Sequence, residues 1–148
     1  MIRTTIRPCG LLVREHRLLT LLYQYEGHDR HNLPGGNLEP GEAILDCLVR
    51  EFAEELDLAV QPGELLFSAE TLAGDKHTLH LAFRLACQNT SPRLNPDQVK
   101  ASRLCWLDAD ALQQVSLYPA IGSALVPFLR GAPIVPAFLG RVAQPWYG

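Results

Sequence analysis

The chain has 148 residues, 47% of them hydrophobic, with a formal net charge of −3 and basic residues scattered along its length. That length and apolar content suit one globular domain over residues 1–148 with a sizeable core. The charge balance excludes the basic footprint that duplex nucleic acid or an anionic membrane requires, and leaves small phosphorylated ligands open.

No apolar run reaches the roughly 18 residues of a membrane span. The first residues, MIRTTIRPCGLLVREHR, have neither the apolar core nor the cleavage site of a secretory signal, so a cytoplasmic protein is expected. Cys9, Cys47, Cys87 and Cys105 form no CxxC pair and are read as small buried thiols of a reducing compartment.

Residues 4–13 and 17–25 are apolar and β-prone, separated by Arg14-Glu15-His16, and are predicted to form a hairpin or meander. The polar stretch Glu26 to Asn32 reads as a flexible loop able to reach a ligand. Leu33-Pro34-Gly35-Gly36 follows, where Pro and paired Gly permit backbone geometry that other residues resist. A helix is predicted to start near Glu39-Pro40-Gly41-Glu42 and to end near Leu56-Asp57.

Gly63 to Ala73 and His77 to Cys87 read as strands joined by Ala73-Gly74-Asp75-Lys76. In the second strand Leu79, Leu81, Phe83 and Leu85 make an apolar face, with His80 and Arg84 opposite. A loop from Gln88 to Asp97 leads to a short strand around residues 103–107 and to a helix at 109–115 capped by Asp108 or Asp110. A last helix at about 119–130 carries Ile121, Leu125, Phe128 and Leu129 on one side, and Pro127 should kink or shorten it.

The tail from Gly131 to Gly148 has Pro133, Pro136 and Pro145 among apolar residues, so it is expected to be irregular and to pack on the domain or on a partner subunit. Its Phe138, Leu139 and Trp146 are the contact that a homodimer would use. The order strands, helix, strands, helices indicates an α+β or α/β/α arrangement with a mixed sheet covered by helices.

The stretch Gly36 to Leu58, GNLEPGEAILDCLVREFAEELDL, concentrates the chemistry. Leu45, Val49, Phe52 and Leu56 recur at helical steps and predict an apolar stripe. Glu51, Glu54 and Glu55 stand at i, i+3 and i+4, so their carboxylates crowd one patch at a cost of roughly 0.2–0.5 kcal/mol per like-charged pair. A hard divalent cation such as Mg²⁺ relieves that repulsion and is commonly held by carboxylates together with substrate phosphates. The plainer reading is a solvated acidic face.

Taken together, these residues resemble the Nudix hydrolase family, whose pattern is G-x5-E-x7-R-E-U-x-E-E-x-G-U, with U a bulky apolar residue. Gly36, Glu42, Arg50, Glu51, Phe52, Glu54, Glu55 and Leu58 fall on its fixed positions, and Asp57 stands where the pattern has Gly. Asp tolerates the left-handed conformation that such a Gly supplies, so the expected effect is on helix termination rather than chemistry. Strands on both sides and Trp106-Leu107 before a helix also look like the family.

The resemblance implies a Nudix-type α/β/α sandwich with a mixed β-sheet between helices. It also implies metal-dependent hydrolysis of a pyrophosphate bond in a nucleoside diphosphate linked to another group. Glu51, Glu54 and Glu55, with a backbone carbonyl of the Gly35-Gly36 loop, would hold Mg²⁺ or Mn²⁺, with Gly36 in the ligand set. Glu51 would serve as ligand, general base or both, and Arg50 would orient a box carboxylate. Arg50 could otherwise form only a surface ion pair with Asp46 or Glu54.

Glu42 is read as structural. Asp97 is a candidate for a further base or ligand, or simply a turn residue, and His28, His31, Lys76, His77 and His80 are candidates for contact with substrate. His31 occupies a position that is often aromatic in the family. The Pro found about 15 residues after the box in ADP-ribose-selective subgroups has no counterpart in Thr71-Leu72-Ala73-Gly74-Asp75, and the signature of the NADH-cleaving subgroup is absent after the box. The alternative function is a non-catalytic nucleotide-sensing or interaction domain with the same fold.

Overall fold

A computed structural model describes residues 1–145. Its elements are β1 (Arg3–Leu11), β2 (Val13–Arg14), β3 (Arg17–Tyr25), β4 (His28–Asn32), α1 (Ile44–Leu56), β5 (Val60–Ala73), β6 (Lys76–Cys87), β7 (Arg103–Leu107), α2 (Ala109–Leu112), β8 (Leu117–Tyr118), α3 (Gly122–Leu129) and β9 (Phe138–Arg141). The class is α+β, as expected, but the mixed sheet is divided in two. One sheet runs β1-β6-β5-β9; the other runs β2-β3-β4-β8, with β7 also paired to β3. Each combines parallel and antiparallel pairs.

Two apolar clusters hold these layers. One joins Cys9, Leu11 and Leu18 to Phe67, Ala69 and Ala82 and is closed by Leu125 and Leu129 of α3. The other lies beneath α1, where Leu48, Phe52 and Leu56 meet Leu19, Leu21 and Leu85. A Cβ at Gly10 would collide with Leu85 and Phe52, so β1 lets α1 approach only because position 10 has no side chain.

Several elements differ from the sequence reading, each for a physical reason. The predicted flexible loop 26–32 is mostly strand: β4 pairs antiparallel with β3 and parallel with β8, burying Arg30, His31 and Asn32. Polar composition hid this strand because its polar groups find partners inside the protein. The tail is not wholly irregular either, since β9 adds to the edge of β5, with the Ser68 amide donating to the Ala137 carbonyl at 2.8 Å. Trp146 lies outside the described residues, and Phe138 is exposed.

In β6 the more deeply buried face is Thr78-His80-Ala82, not the face of Leu79, Leu81 and Phe83, which is half-buried. Helix α1 begins at Ile44, later than expected, after a Pro40-Gly41 turn in which Gly41 takes φ +79°. Helix α2 stops at Leu112 and is capped by Asp108, which accepts from the Ala111 amide at 2.8 Å. Helix α3, with Pro127 inside it, has only eight residues.

The C-cap of α1 is Asp57 at φ 50°, ψ 43°, the left-handed conformation inferred from the sequence. Replacing Asp57 with Gly should leave the protein equally stable or more stable, by no more than about 1 kcal/mol, as read by thermal unfolding.

His80 is fully buried, and burial first, then the charge of Arg7, pushes its pKa from 6.5 down to about 3. Between those values the unfolded chain binds a proton that the folded protein refuses. Stability present above pH 6.5 should therefore be lost as pH falls through this window, by an amount on the order of a few kcal/mol. Urea unfolding at a series of pH values should show a shallower loss in His80→Gln than in the wild type.

Candidate active site

The Pro34–Leu38 loop is pinned along the free edge of β1. The Gly10 amide donates to the Pro34 carbonyl at 2.9 Å, the Gly36 amide to Pro8 at 3.2 Å and the Leu38 amide to Ile6 at 2.8 Å, with Cys9 and Gly35 paired as a bridge. Pro8 has no amide to donate, which its edge position tolerates, but its carbonyl receives the loop. A Cβ at Gly35 would strike the Pro8 carbonyl and the Cys9 backbone, and one at Gly36 would occupy the space of the Glu51 carboxylate. The glycines thus provide room: one for the β1 backbone, the other for a helix carboxylate.

Helix α1 is rotated from the predicted stripe. Its buried residues are Cys47, Leu48, Phe52 and Leu56, whereas Leu45 and Val49 are 44% and 38% exposed. At about 100° per residue, this face includes the positions of Glu51 and Glu55 and leaves Glu54 toward solvent. The side chain of Glu51 is 13% exposed, that of Glu54 43%. The rotation divides the three carboxylates into two directed inward and one at the rim.

Arg50 ties this patch to the start of the helix. Its Nε and Nη2 donate to Glu42 Oε2 and Oε1 at 2.7 and 3.0 Å, while Nη1 donates to Glu51 Oε1 at 3.1 Å and Glu54 Oε2 at 3.2 Å. Glu39 lies 3.7 Å away. Arg50 is therefore more than a surface partner of Glu54, and Asp46 is not among its ion pairs. The Arg50 hydrogen bonds hold the Glu42 carboxyl down at about 2. Glu42, which also accepts from the Glu39 amide at 3.2 Å, anchors Arg50.

Glu55 experiences the opposite environment. Burial first, then the charge and hydrogen bond of Glu51, push it up to about 8. Tyr23 is pushed up to about 12 by burial and by Glu55. The Gly36 carbonyl has the Cys47 thiol at 3.7 Å, and burial followed by Glu42 keeps that thiol protonated by raising it to about 12. All four cysteines are free thiols; Cys9 and Cys47 are buried, Cys87 and Cys105 partly so.

The site offers hard oxygen donors, the chemistry that suits Mg²⁺ or Mn²⁺. With Glu54 drawn to Arg50, however, no three acidic, His or Cys side chains converge on one point among the described residues.

The remaining sequence candidates separate by location. The 93–99 segment docks on the end of α1, with the Arg93 and Asn95 amides donating to the Leu56 and Glu55 carbonyls at 2.8 Å each. Asp97 lies two residues beyond, exposed, with its amide on Asn95 Oδ1 at 3.1 Å, so it is a turn residue beside the site. His31 is buried with Nδ1 3.0 Å from Thr20 Oγ1, and His28 is exposed at the start of β4. Lys76 pairs with Arg3 in the sheet register, five residues along β1 from Pro8, or about 16 Å. His77 contacts Glu70 at 2.7 Å. His80 lies in the interior with Thr71.

Sequence reasoning missed Arg7, Arg30 and Tyr118, which meet between the sheets. The available signal was Arg7 itself, a lone charge within the β-prone run Ile6-Arg7-Pro8-Cys9.

The chain resembles solved structures over most of its length. The Escherichia coli ORF135 protein superposes with TM-score 0.73 at 23% identity, covering 92% of this chain and 96% of that one. The MutT NUDIX hydrolase from Burkholderia pseudomallei gives 0.68 at 23%, covering 80% and 93%. An ADP-ribose pyrophosphatase from Streptococcus suis gives 0.59 at 18%, covering 93% and 97%. The family model for the NUDIX domain matches residues 5–127, including the glycine loop, the acidic helix and the strands of both sheets other than β9. With that match spanning most of its length, the chain belongs to the Nudix hydrolase family.

Proposed function

We propose that this protein acts as a single-domain, metal-dependent pyrophosphohydrolase, cleaving a pyrophosphate bond in a nucleoside diphosphate linked to another group. The observation that carries this reading is the Glu51 carboxylate filling the space beside Gly36, with the partly buried Glu55 carboxyl in hydrogen-bond contact with it. Two partly buried acids in hydrogen-bond contact share a proton, and ionise together only when a cation lies between them. Glu51, Glu54 and Glu55, with the Gly36 carbonyl, would hold Mg²⁺ or Mn²⁺.

When bound, the cation supplies charge neutralisation at the diphosphate. Arg50 acts as a positioning residue: it grips Glu51 through Oε1 and leaves Oε2 for the cation or for a proton. This assigns Glu51 as ligand, general base or both. The same reading places the protein in the cytoplasm, as a homodimer joined through the apolar strand around Phe138 and Leu139. Among the described residues no helix is long and apolar enough to cross a membrane.

One second reading, a nucleotide-sensing domain without turnover, is favoured by Glu54, which is held by Arg50 at 3.2 Å at the rim rather than turned in beside Glu51. A panel of nucleoside triphosphates, ADP-ribose, dinucleoside polyphosphates and nucleotide sugars, assayed with Mg²⁺ or Mn²⁺, separates the two. Cleavage of at least one member is expected. Tight calorimetric binding with no cleavage across the panel would establish the sensing role instead.

On the cleaved substrate, Glu54→Gln or Glu55→Gln should abolish turnover, and full activity in either variant would overturn the ligand assignment. Arg50→Gln should lower kcat about 10²-fold or more with a smaller change in KM, as befits a residue acting through its neighbours. An unchanged kcat would reduce Arg50 to a surface ion pair.

A further inference from the structure

One cavity among the described residues lies away from the carboxylates, at the turn between β2 and β3. Its volume is about 570 Å³, within the range of small-molecule sites. Arg14 and Arg17 stand directly opposite each other in the β2–β3 register, so two cations leave one face of the hairpin side by side. Trp106 of β7 pairs with Leu19, two residues beyond Arg17 and on the same face. Both arginines and Trp106 line the cavity, together with Leu104 and Pro92.

The two arginines are held differently. Arg14 Nη1 donates to the Thr90 carbonyl at 2.7 Å, and Nη2 to the Gln88 carbonyl at 3.0 Å and Cys87 Sγ at 2.9 Å. Its guanidinium lies over the Trp106 ring, 5.6 Å from the centroid. Arg14 is thus fixed as a flat charged surface that ties the 87–90 segment to the hairpin, and the oxygens it meets are carbonyls, which leave its charge in place. Arg17 is exposed and takes part in none of the ion pairs of the described residues.

The one carboxylate lining the cavity, Glu15, is exposed on the turn at φ 51° and also stands outside those ion pairs. Like charges directly opposite across a hairpin are destabilising. An anion beside Arg17 relieves that repulsion, and the cavity gives it room.

The cavity wall leads back to the catalytic helix. Asn89, Ser91 and Pro92 line it, and just beyond them the Arg93 and Asn95 amides donate to the Leu56 and Glu55 carbonyls at the end of α1. The carboxylates themselves are distant: Arg17 lies six residues along β3 from Tyr23, whose phenol feels the charge of Glu55, or about 20 Å.

We propose that this cavity binds a small organic anion carrying a planar ring, apart from the substrate of the carboxylate site. The acid group pairs with Arg17, and the ring lies on the Arg14 guanidinium, extending the stack that Trp106 begins. The Ser91 hydroxyl and the Asn89 amide supply further donors. A nucleoside monophosphate and an aromatic carboxylate both have this chemistry. Once bound, the ligand bridges β3 and the 87–92 segment and so steadies the residues that occupy the last carbonyls of α1.

Calorimetry on the whole protein in EDTA, at constant ionic strength, tests the site without reference to hydrolysis. The probes are AMP and benzoate, with inorganic phosphate and adenosine as the separate halves of the first. Saturable binding of AMP or of benzoate is expected, and the tighter of the two identifies the source. Whichever it is, Arg17→Gln should weaken it about ten-fold or more, while Arg84→Gln, an exposed arginine of the other sheet, keeps the wild-type affinity. If AMP is the ligand, phosphate and adenosine should each bind at least about ten-fold more weakly. Hydrogen exchange at the Arg93 and Asn95 amides should slow in the complex.

No saturable binding of either probe would overturn the site, as would binding undiminished in Arg17→Gln, which would put the ligand elsewhere on the protein. Phosphate bound as tightly as AMP would overturn the role of the ring. Unchanged exchange at Arg93 and Asn95 on saturation would overturn the link to α1.

Discussion

The contact on which the acidic helix depends is the two-point grip of Arg50 on Glu42. One guanidinium neutralises a carboxylate at the start of α1 while its remaining nitrogen reaches Glu51 and Glu54 on the helix itself. Without this centre, Glu39, Glu42, Glu51 and Glu54 would repel one another across one turn of loop and two of helix. The planar fork matters as much as the charge: a Lys ammonium could offset charge but could not hold Glu42 by two nitrogens while directing a third toward Glu51.

The glycine loop and the rotation of α1 are consequences of the same packing problem. The helix must bury Leu48, Phe52 and Leu56, and the approach permitted by Gly10 carries Glu51 and Glu55 inward with them. Gly36 then leaves the volume that the Glu51 carboxylate fills. Chemistry and packing occupy one face, which is why an acid on this helix can sit beside a core cluster. The 93–99 segment completes the arrangement by occupying carbonyls at the end of α1 that the helix cannot satisfy itself.

The sequence disclosed some of this more readily than the rest. Asp57 could be assigned a left-handed conformation because the position follows the last helical residue, and local chemistry restricts which residues tolerate that geometry. The cap of the following helix was narrowed to Asp108 or Asp110 by the same local chemistry, and the structure uses Asp108. By contrast, β4 was read as a loop because Arg30, His31 and Asn32 are polar, and their burial depends on partners far along the chain: Thr20 for His31, and β8 for the strand itself. The helix stripe was misplaced by a fraction of a turn because Leu45 and Val49 are as apolar as the residues actually buried. Only the position of the sheet decides which side of an evenly apolar helix faces inward.

What the amino-acid order determined by itself is the set of local commitments: the acidic helix and its left-handed end, the glycine loop before it, the strand-rich flanks and the Nudix pattern that joins them. These depend on spacing along one segment, where bond geometry and near-neighbour electrostatics are sufficient. The tertiary structure alone decided the division into two sheets, the inward turn of Glu51 and Glu55, and the meeting of Arg7 with His80 and Tyr118. Those outcomes depend on register between distant strands. A single step of register reverses the face on which a side chain lies, and no local preference of Arg7 or His80 specifies that choice.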